Sequence, residues 1–328
     1  MTRALWFVGP RQVELRPIAL PPLSPGRLRV RTLCSGVSSG TELLAYRGQL
    51  PADLPVDESL PGLEGSFAYP FQYGYSAVGE IEHGVDGAGF AAGELVFAFR
   101  PHQERFDAAP DELVSVNGLT PRRAVMLPYV ETALQVALDA GPVLGETVVV
   151  CGLGVLGVLV GRLLQDAGAQ VLASEPQRWR RDVAAAAGIT TVAPDDLTDA
   201  ARDAGGVPLA IECSGHPAAL APLLDVVAHE GTVLVASWYG TNEVSLPLGG
   251  SFHRRRLTIR STQVSTIPAA LSGRWSHRRR LLHAARLAGA LPLDDLATDT
   301  VPFDDAAAGY ARLDSGAEGV MHVAFGYS

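Results

Sequence analysis

Apolar residues recur with two different spacings along the chain. In residues 1–125 they form short runs, such as 4–8 and the alternating 27–33, and turns rich in glycine and proline separate them, which predicts β-strands. Between 126 and 265, apolar runs alternate with alanine-rich helical segments. The predicted strands of this part are 147–151, 170–174, 189–193, 208–213, 231–237 and 257–262. Strands that alternate with helices indicate an α/β fold with a doubly wound parallel sheet of six strands.

The regions on either side of this alternating part have a different character. Residues 49–72 are rich in proline, glycine and acidic residues, which is typical of a long surface loop. Residues 266–328 predict a helix over 278–287, a helix over 304–312 and a final strand over 320–325. The chain therefore combines a β-rich front part, a central β/α part and a mixed tail.

The most specific pattern begins where the strand 147–151 ends. Glycines follow at GxGxxG spacing, and the next strand, 170–174, leads into an acidic residue. The residues of this pattern are Gly152, Gly154, Val155, Leu156, Gly157 and Glu175. Such a turn binds a dinucleotide, because the glycines let the pyrophosphate approach the backbone and the helix N-terminus offers free N–H groups. Glu175 is placed to accept hydrogen bonds from both ribose hydroxyls.

The acidic residue also favours one cofactor. A carboxylate repels a 2′-phosphate, so Glu175 favours NAD(H), whereas Arg178 and Arg180 nearby leave NADP(H) open. Ligands bind at the carboxyl ends of parallel strands, and we expect further cofactor contacts there. These candidates are Arg180, Ser214, Gly215, Ser237, Trp238 and Gln263. The alternative for Trp238 is packing in the core or at a subunit interface.

Composition and charge restrict the partners. The 328 residues carry a formal net charge of −9, which argues against nucleic acid and against an anionic membrane surface. The basic runs 254–256 and 278–280 are expected to be solvated faces, with an anionic group of the substrate or cofactor as the alternative. No apolar stretch has the roughly 18 residues of a membrane span. We therefore expect no membrane partner.

Cysteine usage indicates the compartment. Cys34, Cys151 and Cys213 lack CxxC spacing and suggest small buried thiols rather than a disulfide framework. The first residues show no signal-peptide pattern. We therefore expect a cytoplasmic protein in a reducing environment.

Several further segments follow one another in a recognisable order. They are Gly36-Val37 with Gly40-Thr41-Glu42 and Tyr46-Arg47-Gly48, then 73–81, then Gly145-Glu146-Thr147-Val148, and finally Val301-Pro302-Phe303 with Glu318-Gly319-Val320. Over nearly the whole chain, this order resembles the medium-chain dehydrogenase/reductase superfamily. Residues 34–42 and 74–80 resemble its zinc-less branch around bacteriochlorophyllide a dehydrogenase.

The resemblance implies a domain organisation and an activity. It implies a GroES-like catalytic domain made of 1–125 and 266–328, with an inserted Rossmann domain over 126–265. It further implies a homodimer formed through the last Rossmann strand, 257–263, and NAD(P)-dependent oxidation or reduction of a small molecule. We expect hydride transfer between nicotinamide and a carbonyl/secondary alcohol pair. Reduction of an activated C=C or C=N bond is the alternative, and a non-catalytic nucleotide-binding protein is an alternative of another class.

The resemblance does not extend to the residues that bind the catalytic metal. Ser38 (or Ser39), Tyr75 and Glu131 stand where zinc-containing members hold a catalytic metal. A catalytic zinc needs three thiolate, imidazole or carboxylate ligands, and serine and tyrosine are poor substitutes. The four closely spaced cysteines of a structural zinc lobe are also absent from 95–115. We therefore predict that the protein uses no zinc.

Without a metal, a hydrogen-bond donor must stabilise the charge that develops on the substrate. The candidates are Ser38, Thr41, Glu42, Tyr46, Tyr75, His102 and Glu131. Thr41 matches the hydroxyl residue of the superfamily's proton relay. By analogy with the lost ligand, Tyr75 faces the substrate and acts as a general acid.

Each candidate also has a structural interpretation. The tyrosines alternatively pack in the core with a satisfied hydroxyl, and for Glu42 we favour a structural carboxylate that pairs with an arginine. Glu131 is either a buried general acid or base with a raised pKa, or the partner of Arg122 or Arg123. His102 either approaches the active-site cleft or lies at the surface.

Overall fold

The computed structural model describes residues 2–57, 60, 63–83 and 89–328. Residues 58, 59, 61 and 62, which belong to the predicted loop 49–72, lie outside the described residues. The chain forms two compact units. One consists of residues 2–128 and 282–328, and the other of residues 129–281. No helix within the described ranges is long and apolar enough to cross a membrane.

Strands and helices alternate in the middle of the chain, whereas strands predominate in its first part. The strands are β1 (Thr2–Gly9), β2 (Gln12–Ile18), β3 (Leu28–Gly36), β4 (Ala77–His83), β5 (Leu95–Ala98), β6 (Arg105–Ala108), β7 (Val114–Ser115), β8 (Thr147–Cys151), β9 (Gln170–Ser174), β10 (Thr190–Val192), β11 (Val207–Glu212), β12 (Val227–Val235), β13 (Thr258–Ser261), β14 (Asp299–Pro302) and β15 (Val323–Gly326). The α-helices are α1 (Thr41–Arg47), α2 (Pro121–Ala124), α3 (Leu127–Ala140), α4 (Val155–Asp166), α5 (Arg178–Ala186), α6 (Leu197–Asp203), α7 (Leu220–Val226), α8 (His277–Ala290) and α9 (Ala306–Asp314).

Antiparallel strands predominate in the unit of residues 2–128 and 282–328, where only the pairing of β14 with β15 is parallel among the described strands. β1 pairs with β2, and a seven-stranded sheet has the order β14-β15-β3-β4-β5-β7, with β6 paired to β3. The last strand of the chain pairs antiparallel with β3, so the C-terminal segment completes this sheet. Its core is rich in aromatic rings: Phe7 stacks on Phe71 and Tyr46 on Tyr310, each with ring centroids 5.1 Å apart.

A parallel sheet forms the centre of residues 129–281. Its six strands have the order β10-β9-β8-β11-β12-β13, and every pairing is parallel. This confirms the predicted α/β fold class. β8 and β9 have the predicted bounds, whereas β12 begins at Val227 rather than at 231 because Val227 already pairs with Val207.

Candidate active site

The glycine turn after β8 has the backbone geometry that a dinucleotide site requires. Gly152 has a φ of +93°, and a methyl group there would lie 2.5 Å from Cα of Ser214. A methyl group at Gly157 would lie 1.9 Å from the carbonyl oxygen of Gly152. Gly154 caps the N-terminus of α4, and Val155 and Leu156 begin that helix. A side chain is therefore sterically excluded at two of the three glycines.

Glu175 lies beside this turn, immediately after β9, and is only 5% exposed. Its Oε2 accepts a hydrogen bond from the backbone N–H of Leu153 at 2.9 Å, and its Oε1 accepts one from Gln177 N–H at 3.0 Å. Each carboxylate oxygen can accept more than one hydrogen bond. The contacts orient the carboxylate at the turn and leave acceptor capacity for a ribose hydroxyl.

Two arginines of α5 differ in their surroundings. Arg181 donates to the backbone carbonyls of Glu175 and Pro176, at 2.7 and 2.8 Å. The guanidinium of Arg180 lies over the ring of Trp179, and its Nη1 would be the nearest atom to a methyl group at Gly154, at 3.7 Å. Arg180 thus places a positive charge next to the helix N-terminus, where an anion would bind.

A second group of polar residues joins the ends of β11 and β12. Buried Glu212 accepts hydrogen bonds from Ser214 N–H and from the Tyr239 hydroxyl, both at 2.7 Å. The Gly215 N–H donates to Ser237 Oγ at 2.8 Å. Burial raises the pKa of Tyr239, so its hydroxyl stays protonated. Sequence reasoning missed Glu212, although an acidic residue directly before Cys213-Ser214-Gly215 at a strand end was a usable signal, and it did not include Tyr239 among the cofactor candidates.

The other cofactor candidates lie in the same unit but are more exposed. Trp238 is 43% exposed, so the core-packing alternative for it is wrong. Gln263 accepts a hydrogen bond from Ser265 N–H at 2.7 Å. Both residues follow strands whose carboxyl ends share one edge of the parallel sheet with Ser214 and Ser237.

The unit of residues 2–128 and 282–328 buries a polar chain that we call the Glu42 network. Its side chains are Ser35, Glu42, His102, Tyr310 and Tyr327. Glu42 Oε2 lies 2.8 Å from His102 Nε2 and accepts from the Tyr310 hydroxyl at 2.5 Å. His102 Nδ1 lies 2.7 Å from Ser35 Oγ, which lies 2.8 Å from the Tyr327 hydroxyl.

The network corrects two structural interpretations. Glu42 does not pair with an arginine: its partners are His102, Tyr310 and the N–H of Ser38, which donates to Oε1 at 2.8 Å. His102 is not a surface residue, because its ring is 0% exposed and packs edge-on against Phe325 with centroids 5.0 Å apart. Tertiary packing brings this loop residue into the core.

Glu131 belongs to the other unit, and its partner also differs from expectation. Its Oε1 accepts from Arg280 Nε at 3.0 Å, and Arg280 donates further to Gln135, so neither Arg122 nor Arg123 is the partner. Arg280 is buried, which corrects the prediction that the run 278–280 is entirely solvated. Burial raises the pKa of Glu131, and the Arg280 charge partly offsets that increase.

The remaining catalytic candidates surround α1 and the segment before β4. Ser38 is buried and Thr41 is the first residue of α1. Tyr46 stacks on Tyr310, and burial raises its pKa. Tyr75 is partly buried and packs edge-on against Tyr73, with centroids 5.9 Å apart. Hydrogen bonds thus join Ser38, Glu42 and His102 directly, with Tyr46 packed beside them.

Comparisons with known proteins agree with this architecture. Residues 155–277 match the zinc-binding dehydrogenase family. The chain is 29% identical over 332 residues to 2-desacetyl-2-hydroxyethyl bacteriochlorophyllide A dehydrogenase from Cereibacter sphaeroides, covering 94% of this chain and 93% of that protein.

Solved structures show the same fold over the whole chain. The structure of 2R,3R-butanediol dehydrogenase from Bacillus subtilis matches with a TM-score of 0.79 at 18% identity, covering 99% of both chains. A short chain alcohol dehydrogenase from Escherichia coli, complexed with NADH, matches with a TM-score of 0.78 at 16% identity, again covering 99% of both. Over nearly its whole length the chain is therefore similar to dehydrogenases of the medium-chain dehydrogenase/reductase superfamily, and these homologues are NAD(P)-dependent oxidoreductases.

Proposed function

We propose that this protein is a zinc-independent oxidoreductase that transfers hydride between NAD(H) and a carbonyl/secondary alcohol pair of a small organic molecule. The glycine turn with Glu175 beside it carries the proposal, because its backbone is shaped for a pyrophosphate and its carboxylate for a ribose. Two relatives support the alcohol chemistry, since their names specify a hydroxyethyl group and a butanediol. In this proposal residues 129–281 bind the cofactor and the other unit binds the substrate.

The cofactor would be held by groups of the 129–281 unit. The turn at Gly152–Gly157 and the N-terminus of α4 would bind the pyrophosphate, and Glu175 would bind the adenosine ribose. A solved relative contains NADH, which supports a nicotinamide cofactor. Negative charge at Glu175 favours NADH, and Arg180 provides the charge through which NADPH could still bind.

The residues at the superfamily's metal position do not fit zinc. Ser38 and Tyr75 replace two ligands, and Glu131 is paired with Arg280. The nearby His102 and Glu42 are bonded to each other and are completely buried. Within the described residues, no group of three His, Cys, Asp or Glu side chains could hold a metal ion. These features support zinc-independent chemistry.

The bound nicotinamide supplies or accepts the hydride, and the chain must supply the proton. Tyr75 is the proposed general acid, since it is partly exposed and stands at a former ligand position. Thr41 and Ser38 are the proposed relay and orienting hydroxyls. Glu42 and His102 have no exposed surface, so we assign them no direct contact with the substrate.

The exposed edge strand β13 and the free cysteines support the proposed oligomer and compartment. β13 is the last strand of the six-stranded sheet, and its largely exposed pattern supports a homodimer formed through this edge. The three cysteines are free thiols, which supports a reducing, cytoplasmic environment.

Calorimetric titration with NADH and NADPH, together with elemental analysis for zinc, tests the cofactor assignment. We expect NADH to bind more tightly than NADPH and zinc to be far below one equivalent. Glu175→Gln should reduce the ratio of NADH affinity to NADPH affinity by roughly tenfold, because it removes the negative charge while keeping the size of the side chain. Stoichiometric zinc would refute zinc independence, and a clear NADPH preference would refute the role of Glu175.

Substitution of Tyr75 tests the proton donor. Tyr75→Phe should lower kcat for carbonyl reduction by about 10²-fold or more, because the general acid is removed while the ring remains. Tyr69→Phe is the matched control: it removes a hydroxyl that donates to the carbonyl of Ala45 at 2.8 Å, and kcat should stay within about twofold. Near-normal turnover of the Tyr75 variant would exclude Tyr75 as the acid.

A further inference from the structure

The Glu42 network is a buried polar feature that the proposed hydride transfer does not use. Ser35, Glu42, His102 and Tyr310 are all 0% exposed, and Glu42 and Tyr310 are 268 positions apart in the sequence. Burying a carboxylate costs free energy unless hydrogen bonds satisfy it. A fully connected arrangement of this kind in a core is typical of groups that fix a structure rigidly.

The hydrogen bonds define a consistent set of donors. In one consistent assignment of donors, Glu42 accepts from His102 Nε2–H, from the Tyr310 hydroxyl and from the Ser38 N–H. His102 Nδ1 then accepts from the Ser35 hydroxyl, and Ser35 accepts from the Tyr327 hydroxyl. Each side chain of the Glu42 network then has a hydrogen-bond partner.

The network contacts both segments that carry the proposed proton-handling groups. Through the Ser38 N–H it holds the start of the segment 38–41, which ends in Thr41. The His102 ring also lies directly against Gly74, where a methyl group would come within 2.6 Å of its Cδ2. Gly74 precedes Tyr75, so His102 supports the backbone from which the proposed acid projects.

Orientation must come from the protein where no metal holds the substrate and its proton donor. Donors accelerate a reaction when packing and hydrogen bonds fix them in advance, and a displacement of about 1 Å can cost 10²-fold in rate. We infer that Glu42 and His102 are positioning residues, which hold Ser38 and Thr41 on one side and Tyr75 on the other in the geometry for proton transfer. This inference rests on the proposed function.

Two substitutions and one control test the inference. His102→Gln keeps a donor for Glu42 but cannot fill the space of the ring against Gly74. Tyr310→Phe is milder, since it removes one hydroxyl and keeps the ring. Asp314→Asn is the control: Asp314 also joins α9 to α1, through Arg47 at 2.5 Å, and its carboxylate pairs with Arg47 and Arg11 rather than with side chains of the network.

For the wild type and each variant, the measurements are kcat and KM for carbonyl reduction, NADH affinity and Tm. We expect His102→Gln to lower kcat by about 10- to 100-fold and Tyr310→Phe by about threefold to tenfold, with NADH affinity within twofold in protein that remains folded. Asp314→Asn should lower Tm but keep kcat within twofold. Unchanged kcat in His102→Gln, or an equal loss in Asp314→Asn, would overturn the inference.

A spectroscopic measurement separates this inference from the proposed function. In protein with ¹³C-labelled tyrosine rings, the Tyr75 signal is assigned with Tyr75→Phe and compared between wild type and His102→Gln. A shifted or broadened signal is expected in the variant even if the wild type reduces no carbonyl, which would refute only the proposed function. An unchanged Tyr75 signal would refute the positioning role whatever the activity.

Discussion

The glycine turn of residues 152–157 and the Glu42 network are built by different means. The turn uses backbone atoms of residues close together in the sequence, and its geometry depends on missing side chains at Gly152 and Gly157. The network uses five side chains that come from residues 35 to 327, and its geometry depends on matched donors and acceptors. Sterics therefore fix the first region, and hydrogen bonding between distant residues fixes the second.

This difference predicts how each region responds to a single substitution. A methyl group at Gly152 or Gly157 would overlap backbone atoms, so the loss of stability and of cofactor affinity should be large. When one hydrogen bond of the network is lost, the neighbouring groups can partly re-pair. The loss of activity should therefore be smaller and should depend on which residue is substituted. Breaking the buried Glu131–Arg280 ion pair should also cause a large loss of stability, as a substitution in the turn does, because the unpaired charge has no alternative partner.

The largest combined effect on stability and NADH binding is expected from Gly157→Ala. Its methyl group would lie 1.9 Å from the Gly152 carbonyl oxygen and would displace the turn. We expect a destabilisation of about 3 kcal/mol and a loss of NADH affinity of more than about 100-fold. Calorimetry and urea unfolding measure both quantities.

Gly154→Ala is the matched control for that prediction. A methyl group there meets only Arg180, at 3.7 Å, and the backbone φ is −70°. Stability should remain near the wild-type value, while NADH affinity falls by roughly tenfold because the pyrophosphate loses its close approach. Normal NADH binding by Gly157→Ala, or equal destabilisation by both variants, would contradict the steric account.

Arg280→Met should have the next largest effect. It leaves Glu131 buried without its cation and should destabilise the protein by about 3–5 kcal/mol, whereas the Glu131→Met/Arg280→Met double variant should recover most of that loss. Unfolding measurements of both variants provide the comparison. A double variant as unstable as the single one would show that packing, rather than charge pairing, dominates here.

The same substitution predicts a dependence on pH. Burial raises the pKa of Glu131 in the folded protein, and removal of Arg280 should raise it further. A carboxyl group with a raised folded-state pKa destabilises the protein above that pKa, and the penalty disappears as the pH falls below the unfolded-state pKa. The cost of Arg280→Met should therefore shrink as the pH decreases from 8 towards about 4.

The smallest effect is expected for Asp314→Asn. Partial burial alone would raise the pKa of Asp314, but hydrogen bonds from Arg47 and Arg11 lower it below its ordinary value of 3.8. Its contribution to stability is present above the unfolded-state pKa and is lost as the pH falls through the lowered folded-state pKa. We expect a cost of about 1 kcal/mol at pH 7 that vanishes in strong acid, measured by thermal unfolding across pH. A cost that persists in acid would indicate a packing effect.

The parallel sheet and the glycine turn can be predicted from the sequence alone. β8 and β9 have the predicted bounds, and the glycine spacing and Glu175 were evident without a structure. Short-range patterns specify these features, because strand burial, tight turns and helix starts depend on residues only a few positions apart. The bounds of β12 were less accurate, since pairing with β11 extends this strand towards its N-terminus.

The partners of the buried polar residues, in contrast, depend on how distant parts of the chain pack together. Glu42 was expected beside an arginine and His102 was given a surface alternative, but packing of α1, α9 and the loop after β5 brings them together in the core. Glu131 likewise meets Arg280, 149 positions further along the chain. No local pattern encodes such pairings, because a buried carboxylate accepts any correctly placed donor, and the fold alone determines which donor reaches it.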